Sequence, residues 1–420
     1  MRTPWLRLVV PAVLLTTAAR AAHIEAGDFH IELSPSSPAV RSYRLAGQTV
    51  ALPAPQKVPM LRINGEDRSP QVQLRKRAAD RAEYLLTCPG EGVVLTLEVA
   101  AQDRALHFKI SDVVETGSTM VKTVELPGLA LLAGQGNDTV ALGNFPRPGY
   151  GSDKPEDRDL VGSVQDLAAE ARGVSYAFVS TGKIAAGLYS NVLDEKSRMR
   201  ATVDGGAISV APGTWTWREI PGETVMPLRA TLVVALDENG DGQVTWQDAA
   251  IAYRASTPGP YGGERGRRYP ITHIAMNFGS QATNPFLRVL DNAKKIWLYT
   301  DGLGQRIQFK GFQSEGHDSS HPDYAHNVGR RMGGRDDLNF VMRRAHDFDV
   351  LSGVHINAHE YHRESKAFHP DIVNLDRIGW SWLDESYLTD YRHDAAYGTL
   401  NQRLADMRED LPWLDFVYLD

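Results

Sequence analysis

Cysteine is nearly absent, with Cys88 the single example in 420 residues. One thiol forms no internal disulfide, so stability rests on core size; Cys88 itself reads either as a buried apolar thiol or as a reactive one. A basic excess is also missing. The 45 Lys and Arg stand against 52 Asp and Glu, a net charge of -7, which leaves no electrostatic footprint for a nucleic-acid partner. Long apolar runs are missing too. The start, "MRTPWLRLVVPAVLLTTAARAAHIEAG", has Arg2 and Arg7 around a short apolar stretch from Leu8 to Leu15 and an Ala19-Arg20-Ala21 cleavage pattern. That is the composition of a signal peptide over residues 1–21, too short for a stable membrane anchor. The expectation is an exported, soluble mature chain from about Ala22, with no transmembrane segment. There is no Gly-rich phosphate loop followed by Lys, no G-x-S-x-G elbow and no heme or iron-sulfur spacing. Carboxylates are left as the leading chemical groups.

What is present changes character along the chain. From His23 to Leu236 the apolar residues recur with period two, as in Val93, Leu95, Leu97 and Val99, then Leu106, Phe108 and Ile110. Turn-rich stretches such as "CPGEG" and "GQGND" separate them. This pattern predicts an N-terminal antiparallel β-sandwich over residues 22–260. The Gly-, Pro- and Arg-rich stretch "STPGPYGGERGRRYP" marks a domain boundary. Beyond it, strand-like runs ("ITHIAMNF", "KKIWLYT", "VLSGVHIN", "LDFVYLD") alternate with helical ones, which predicts a parallel α/β sheet over residues 261–420. The four runs end in Asn277, Asp301, His355 with Asn357, and Asp420. Polar residues at the carboxyl ends of parallel strands build the active site of a (β/α)8-type barrel, though each could also merely open a loop. Four strands correspond to about the first half of such a barrel.

Four motifs carry possible chemistry. "DENGDGQVTWQD" has the spacing of a calcium loop, with Asp237, Asn239, Asp241, the Gln243 carbonyl, Thr245 and Asp248 as oxygen donors and Gly242 at the turn. Asp at the twelfth position instead of Glu shortens the closing ligand. The alternative is a metal-free Asx and Gly turn. The expected Ca2+ is structural, and no cofactor is expected for catalysis. "SEGHDSSHPDY" gathers Glu315, His317, Asp318, His321 and Asp323 in one loop; sugar hydroxyls suit this set better than zinc, and a solvated loop is the third reading. "GWSWLD" places Trp380 and Trp382 two apart, on one side of an extended segment, as core packing or as a platform for a sugar ring. "VHINAHEYH" offers His355 and Asn357 on one face of a strand end.

Taken together, "AMNFGSQATNPFLRVLDNAKKIWLYTDGLGQ", "KGFQSEGHDSSHPDY", "GVHINAHEYH", "GWSWLDE" and "LDFVYLD" resemble, in order, the catalytic-domain motifs of the endo-α-N-acetylgalactosaminidase family. "DENGDGQVTWQDAAIAYR" resembles the stretch before that family's barrel. The resemblance implies a secreted retaining glycosidase that releases Galβ1-3GalNAc from its α-linkage to Ser or Thr of O-glycosylated, mucin-type glycoproteins. It assigns Asp420 as nucleophile, Asp318 and His321 as sugar-binding positions, and Trp380 and Trp382 as the aromatic pair over the substrate; Asp301, His355 and Asn357 join the binding set from their strand-end positions. Two departures from the family pattern are visible: Ser320 stands where Gly is usual, and Glu385 where Gln is expected.

In that family the general acid is a Glu C-terminal to the nucleophile, and Asp420 is the last residue here. The expectation is therefore a chain truncated at its nucleophile, without normal turnover, whose exposed sheet edge favours poor solubility or dimerisation. Two other functions stand beside this one: a calcium-stabilised glycan-binding protein without catalysis, and a hydrolase of another α-galactoside.

Overall fold

The computed structural model describes residues 22–53, 60–143, 160–190, 199–223, 228–257, 259, 261–279, 281–314, 316–381, 383–397 and 399–420. The signal-peptide reading of residues 1–21 lies outside them. The chain divides into two compact units. The first holds the described residues up to Trp217 and those from 228 to 257, and the second holds 218–223 and those from 259 onward.

The first unit is antiparallel throughout. Its main sheet has nine strands in the order Leu160–Ser163, Thr139–Gly143, Tyr176–Ser180, Ala185–Ser190, Leu228–Ala235, Ala105–Glu115, Val93–Gln102, Arg81–Cys88 and Gln71–Lys76. Three four-stranded sheets accompany it. The period-two pattern is realised residue by residue: Val93, Leu95, Leu97, Val99, Leu106, Phe108 and Ile110 are all buried. Phe108 faces Val99 and Ile110 faces Leu97 across the ladder, until a bulge shifts the register between Ile110 and Asp112. Burying each such side chain contributes about 1.5–3 kcal/mol. Cys88 is a buried free thiol, and burial pushes its pKa up, so the packing reading holds over the reactive one.

Helix α1 (Trp246–Ser256) closes this unit. Thr245 and Asp248 form a capping box at its start. Its apolar side joins a small core with Ala141, Phe178, Ala185 and Ala235 of the main sheet.

The second unit is built from β1 (Ile271–Met276), β2 (Gln305–Lys310), β3 (Val350–Ile356) and β4 (Phe416–Leu419), all parallel and hydrogen-bonded in that order. Helices α2 (Phe286–Tyr299), α3 (Gly334–Ala345) and α4 (Thr399–Asp410) lie in the three crossovers. Every residue of β3 is buried, as a strand covered on both faces requires. Gly353 in β3 is small by necessity. A Cβ there would lie 2.3 Å from the ring of Phe416, its register partner in β4.

One expectation fails. "KKIWLYT" is not a strand; Lys294 to Tyr299 are the end of α2, whose Phe286, Val289, Leu290 and Ala293 form a buried stripe at helical spacing. The second strand is "QRIQFK" instead. Asp301 consequently sits in the turn that leads into β2, exposed and with φ of 52°, at the amino end of the sheet and away from the strand carboxyl ends. It is removed from the candidate site. Among the described residues, no helix is long and apolar enough to cross a membrane.

Candidate active site

The other strand ends do converge. The loop after β2 carries His317, Asp318 and His321, β3 delivers His355 and then Asn357, and β4 delivers Asp420. His355 is fully buried, and its Nε2 lies 3.0 Å from Asp420 Oδ2. A carboxylate has no proton to donate, so Nε2–H is the donor and Nδ1 keeps its lone pair. The Tyr418 ring stacks on the imidazole at 5.6 Å and fixes its plane. Burial lowers the His355 pKa despite the Asp420 bond, so the ring is neutral at pH 7.

Next to it, His317 Nδ1 lies 2.9 Å from Asp318 Oδ1, close enough for an ion pair but not aligned as a hydrogen bond. Burial would raise the Asp318 carboxyl; the adjoining His317, then His355 and Lys310, outweigh it and hold the group below its ordinary value. Asp318 and Ser320 both have left-handed backbone, with φ of 53° and 59°. Asp tolerates this region, whereas Ser there is strained, which gives a physical reason for the glycine common at that position in the resembling family.

His321 has no exposed surface. Its Nδ1 accepts from Gln313 Nε2 at 3.2 Å, and its carbonyl takes the His362 N–H and the Ser365 hydroxyl. In this arrangement it ties the 311–324 loop to the 360–365 segment. Burial, reinforced by His355 and His362, holds the imidazole well below its ordinary pKa. The rings of His321, His355 and His317 form a chain with centroid spacings of 5.9 and 5.6 Å, and His362 adds a fourth ring 5.9 Å from His321.

Asn357 is buried beside this chain, but its Oδ1 accepts the N–H groups of His359 and Glu360, so it shapes its own turn. Asn277 likewise closes a loop on Asn284. Trp380 is 53% exposed in a loop whose backbone is fixed by Glu360 Oε1 and Ser386 Oγ, which excludes core packing for this ring. Its companion Trp382, like Glu315, lies outside the described residues. Sequence reasoning passed over Asp384, which accepts the Ser319 hydroxyl, and Glu364, whose carboxyl burial and the neighbouring Asp384 push up to about 7. Only folding brings residues 319, 364 and 384 together, so no spacing in the sequence announces them.

The calcium-type loop is folded by its own amides. Asp237 accepts from the N–H groups of Gly240, Asp241 and Gly242, and Asp241 from that of Gln243. Asp248 is fully buried and accepts from Glu238, Asn239 and Thr245, besides capping α1. The oxygen-only donor set suits a hard cation, with Asp237, Asn239 and Asp241 at the exposed side.

Comparison with known proteins bears on the family and the fold. Residues 247–420 match the family model described as endo-alpha-N-acetylgalactosaminidase, and residues 24–246 match that of a galactose mutarotase-like fold domain. A curated relative from Renibacterium salmoninarum, named as an inferred endo-alpha-N-acetylgalactosaminidase, is 32% identical over 433 aligned residues. That match covers 97% of this chain and 28% of the relative, so the chain spans under a third of the relative's length. Among solved structures, an alpha-N-acetylgalactosaminidase from Bifidobacterium bifidum in complex with GalNAc superposes with a TM-score of 0.52 at 13% identity, over 95% of this chain and 70% of that one. The GH36 alpha-galactosidase AgaA from Geobacillus stearothermophilus gives 0.60 at 12% identity, over 95% and 65%. These two likenesses speak to the fold. The chain is thus a homologue of glycoside hydrolases, with a galactose mutarotase-like first unit. More narrowly, its residues 247–420 belong to the endo-α-N-acetylgalactosaminidase family.

Proposed function

We propose that the second unit is the nucleophile-bearing part of a retaining glycosidase barrel that acts on Galβ1-3GalNAc α-linked to Ser or Thr of O-glycoproteins, in an exported protein. The observation that carries this reading is the Asp420 carboxylate held through one oxygen by His355 at 3.0 Å. The bond orients the carboxylate and leaves Oδ1 for attack on the anomeric carbon. Asp318 supplies a carboxylate and His317 an imidazole as hydrogen-bonding groups for sugar hydroxyls, and Trp380, with Trp382, offers an indole face for the apolar side of a ring. His321 and Asn357 enter as positioning residues, because His321 Nδ1 accepts from Gln313 and Asn357 Oδ1 accepts from its own turn. The loop from Asp237 to Asp248 is read as a structural Ca2+ site.

A retaining mechanism also needs a carboxylic acid about 5 Å from the nucleophile. We assign the nucleophile alone. An α-fluoride of the disaccharide tests the nucleophile directly, since fluoride departs without a general acid. The C1–F bond breaks as the bond from Asp420 to C1 forms, and fluoride leaves with the electron pair. Intact-mass spectrometry should find one glycosyl adduct per chain, mapped to Asp420 and absent from Asp420→Asn. An adduct on another residue, or none despite disaccharide binding, would sink this assignment.

A further inference from the structure

The pocket has a feature that sugar contacts leave unexplained: ligand-type atoms that are buried and carry no hydrogen bond among the described residues. They include His355 Nδ1, together with His317 Nδ1 and Asp318 Oδ1, which face each other at 2.9 Å without hydrogen-bond alignment. One ligand atom from each of these three residues lies within 4.8 Å of those of the other two. The rings and the carboxylate are held in place, since His317 and Asp318 have side-chain exposures of 14% and 18% and that of His355 is 1%.

We propose that His317, Asp318 and His355 form a binding site for a divalent first-row transition ion, with Zn2+ as its representative, in the same pocket as the sugar and exclusive of it. Two imidazoles and one carboxylate make a borderline donor set that favours such ions over Ca2+ and Mg2+, which take oxygen ligands. Three protein ligands leave further positions for water. The surroundings fit as well. A metal-binding imidazole donates its other N–H to a carboxylate, and His355 does this to Asp420 while its Nδ1 lone pair stays free. His321 Nε2 and both His362 nitrogens are further unpartnered buried atoms behind the trio. Lys310 is a cation that opposes the site, as its influence on Asp318 and His355 indicates. An ion and a sugar would need the same lone pairs, so the ion is expected to act as a competitive inhibitor.

The test is Zn2+ titration of the full 420-residue chain by calorimetry, in calcium-saturated buffer so that the loop from Asp237 to Asp248 takes no part. One site is expected whose affinity falls at least about tenfold in His317→Ala, in Asp318→Asn and in His355→Ala. Asp420→Asn does not touch the ion in this geometry and should still weaken it by about tenfold, the size of an outer-partner effect. Co2+ substitution should give visible bands that these variants lose. If His355→Ala melts early, His317→Ala, on the more exposed loop, decides. No stoichiometric uptake, or an affinity indifferent to all four substitutions, would overturn the proposal by placing any bound Zn2+ on other histidines. Saturating Galβ1-3GalNAc should weaken Zn2+ binding. A disaccharide that binds without competing would overturn the exclusive placement, and one that does not bind at all would count against the sugar reading alone.

Discussion

The two units solve the problem of a stable interior differently. In the first, a continuous core runs from Ile24 to Val234 and is made of apolar side chains, with Trp215 placing its Nε1–H on Ser190 and Tyr84 its O–H on the Ser34 carbonyl. In the second, an apolar core around Phe286, Phe309 and Val354 adjoins buried Gln305, Gln313, His321, Asp323, His355, His362, Asp394 and Arg403. Buried polar groups cost stability unless each finds a partner. The difference separates scaffold from site: the unit expected to do chemistry buries more polar and charged groups than the other.

The sharpest way to break this contrast is to remove one member of the polar network. Arg403 donates to both Asp394 oxygens, at 3.1 and 2.6 Å, and Tyr361 donates to Asp394 at 2.7 Å. Asp394→Ala should leave the guanidinium buried and uncompensated and cost about 3–5 kcal/mol in denaturant unfolding. The double change Asp394→Leu with Arg403→Met should recover much of that. In the first unit Phe108→Ala should cost a similar 3–5 kcal/mol by leaving a cavity, with no partner substitution of this kind to restore it.

Acid provides the next contrast. Burial depresses the pKa values of His321, His355 and His362. Between the folded values and the unfolded value of about 6.5, the unfolded chain binds more protons. Stability is therefore fully present above about pH 6.5 and declines as pH falls below it. Hydrogen exchange in the presence of chelator should show the second unit opening first; equal acid sensitivity in both units would contradict the reading.

Smaller still is Ser320→Gly, which removes a left-handed non-glycine residue and should raise stability by about 1 kcal/mol in thermal melts. Calcium removal should have the smallest effect and be confined to the first unit, with exchange protection lost around α1. Asp241→Ala should abolish any calcium dependence of that protection.

Much of the architecture could be read from the pattern, and the exceptions have physical causes. Alternation in Val93 to Val99 works because one face of that strand is buried and the other only partly so. The second parallel strand escaped notice because its buried positions include Gln305 and Gln308, with Gln305 Nε2 satisfied by the Ala293 carbonyl. The end of α2 imitated a strand through Ile296, Trp297 and Tyr299, residues of high β preference that helix context overrode. At the site, His355 and Asp420 stood out because they end predicted strands, and Asp318 because its loop gathers His and carboxylate side chains. The partnership of His317 with Asp318, and the hidden role of His321, depend on loop conformations that no spacing encodes.

The missing side chain at Gly353 has a consequence for aim. Phe416 seats over that residue, and the seating fixes which residue of β4 lies opposite which residue of β3, so that Tyr418 pairs with His355. A slip of two residues preserves the facing of side chains, yet would carry Asp420 about 7 Å along the sheet, beyond reach of the imidazole. A single hydrogen atom in the middle of a strand thus acts as a gauge stop, setting the alignment of a carboxylate several residues away.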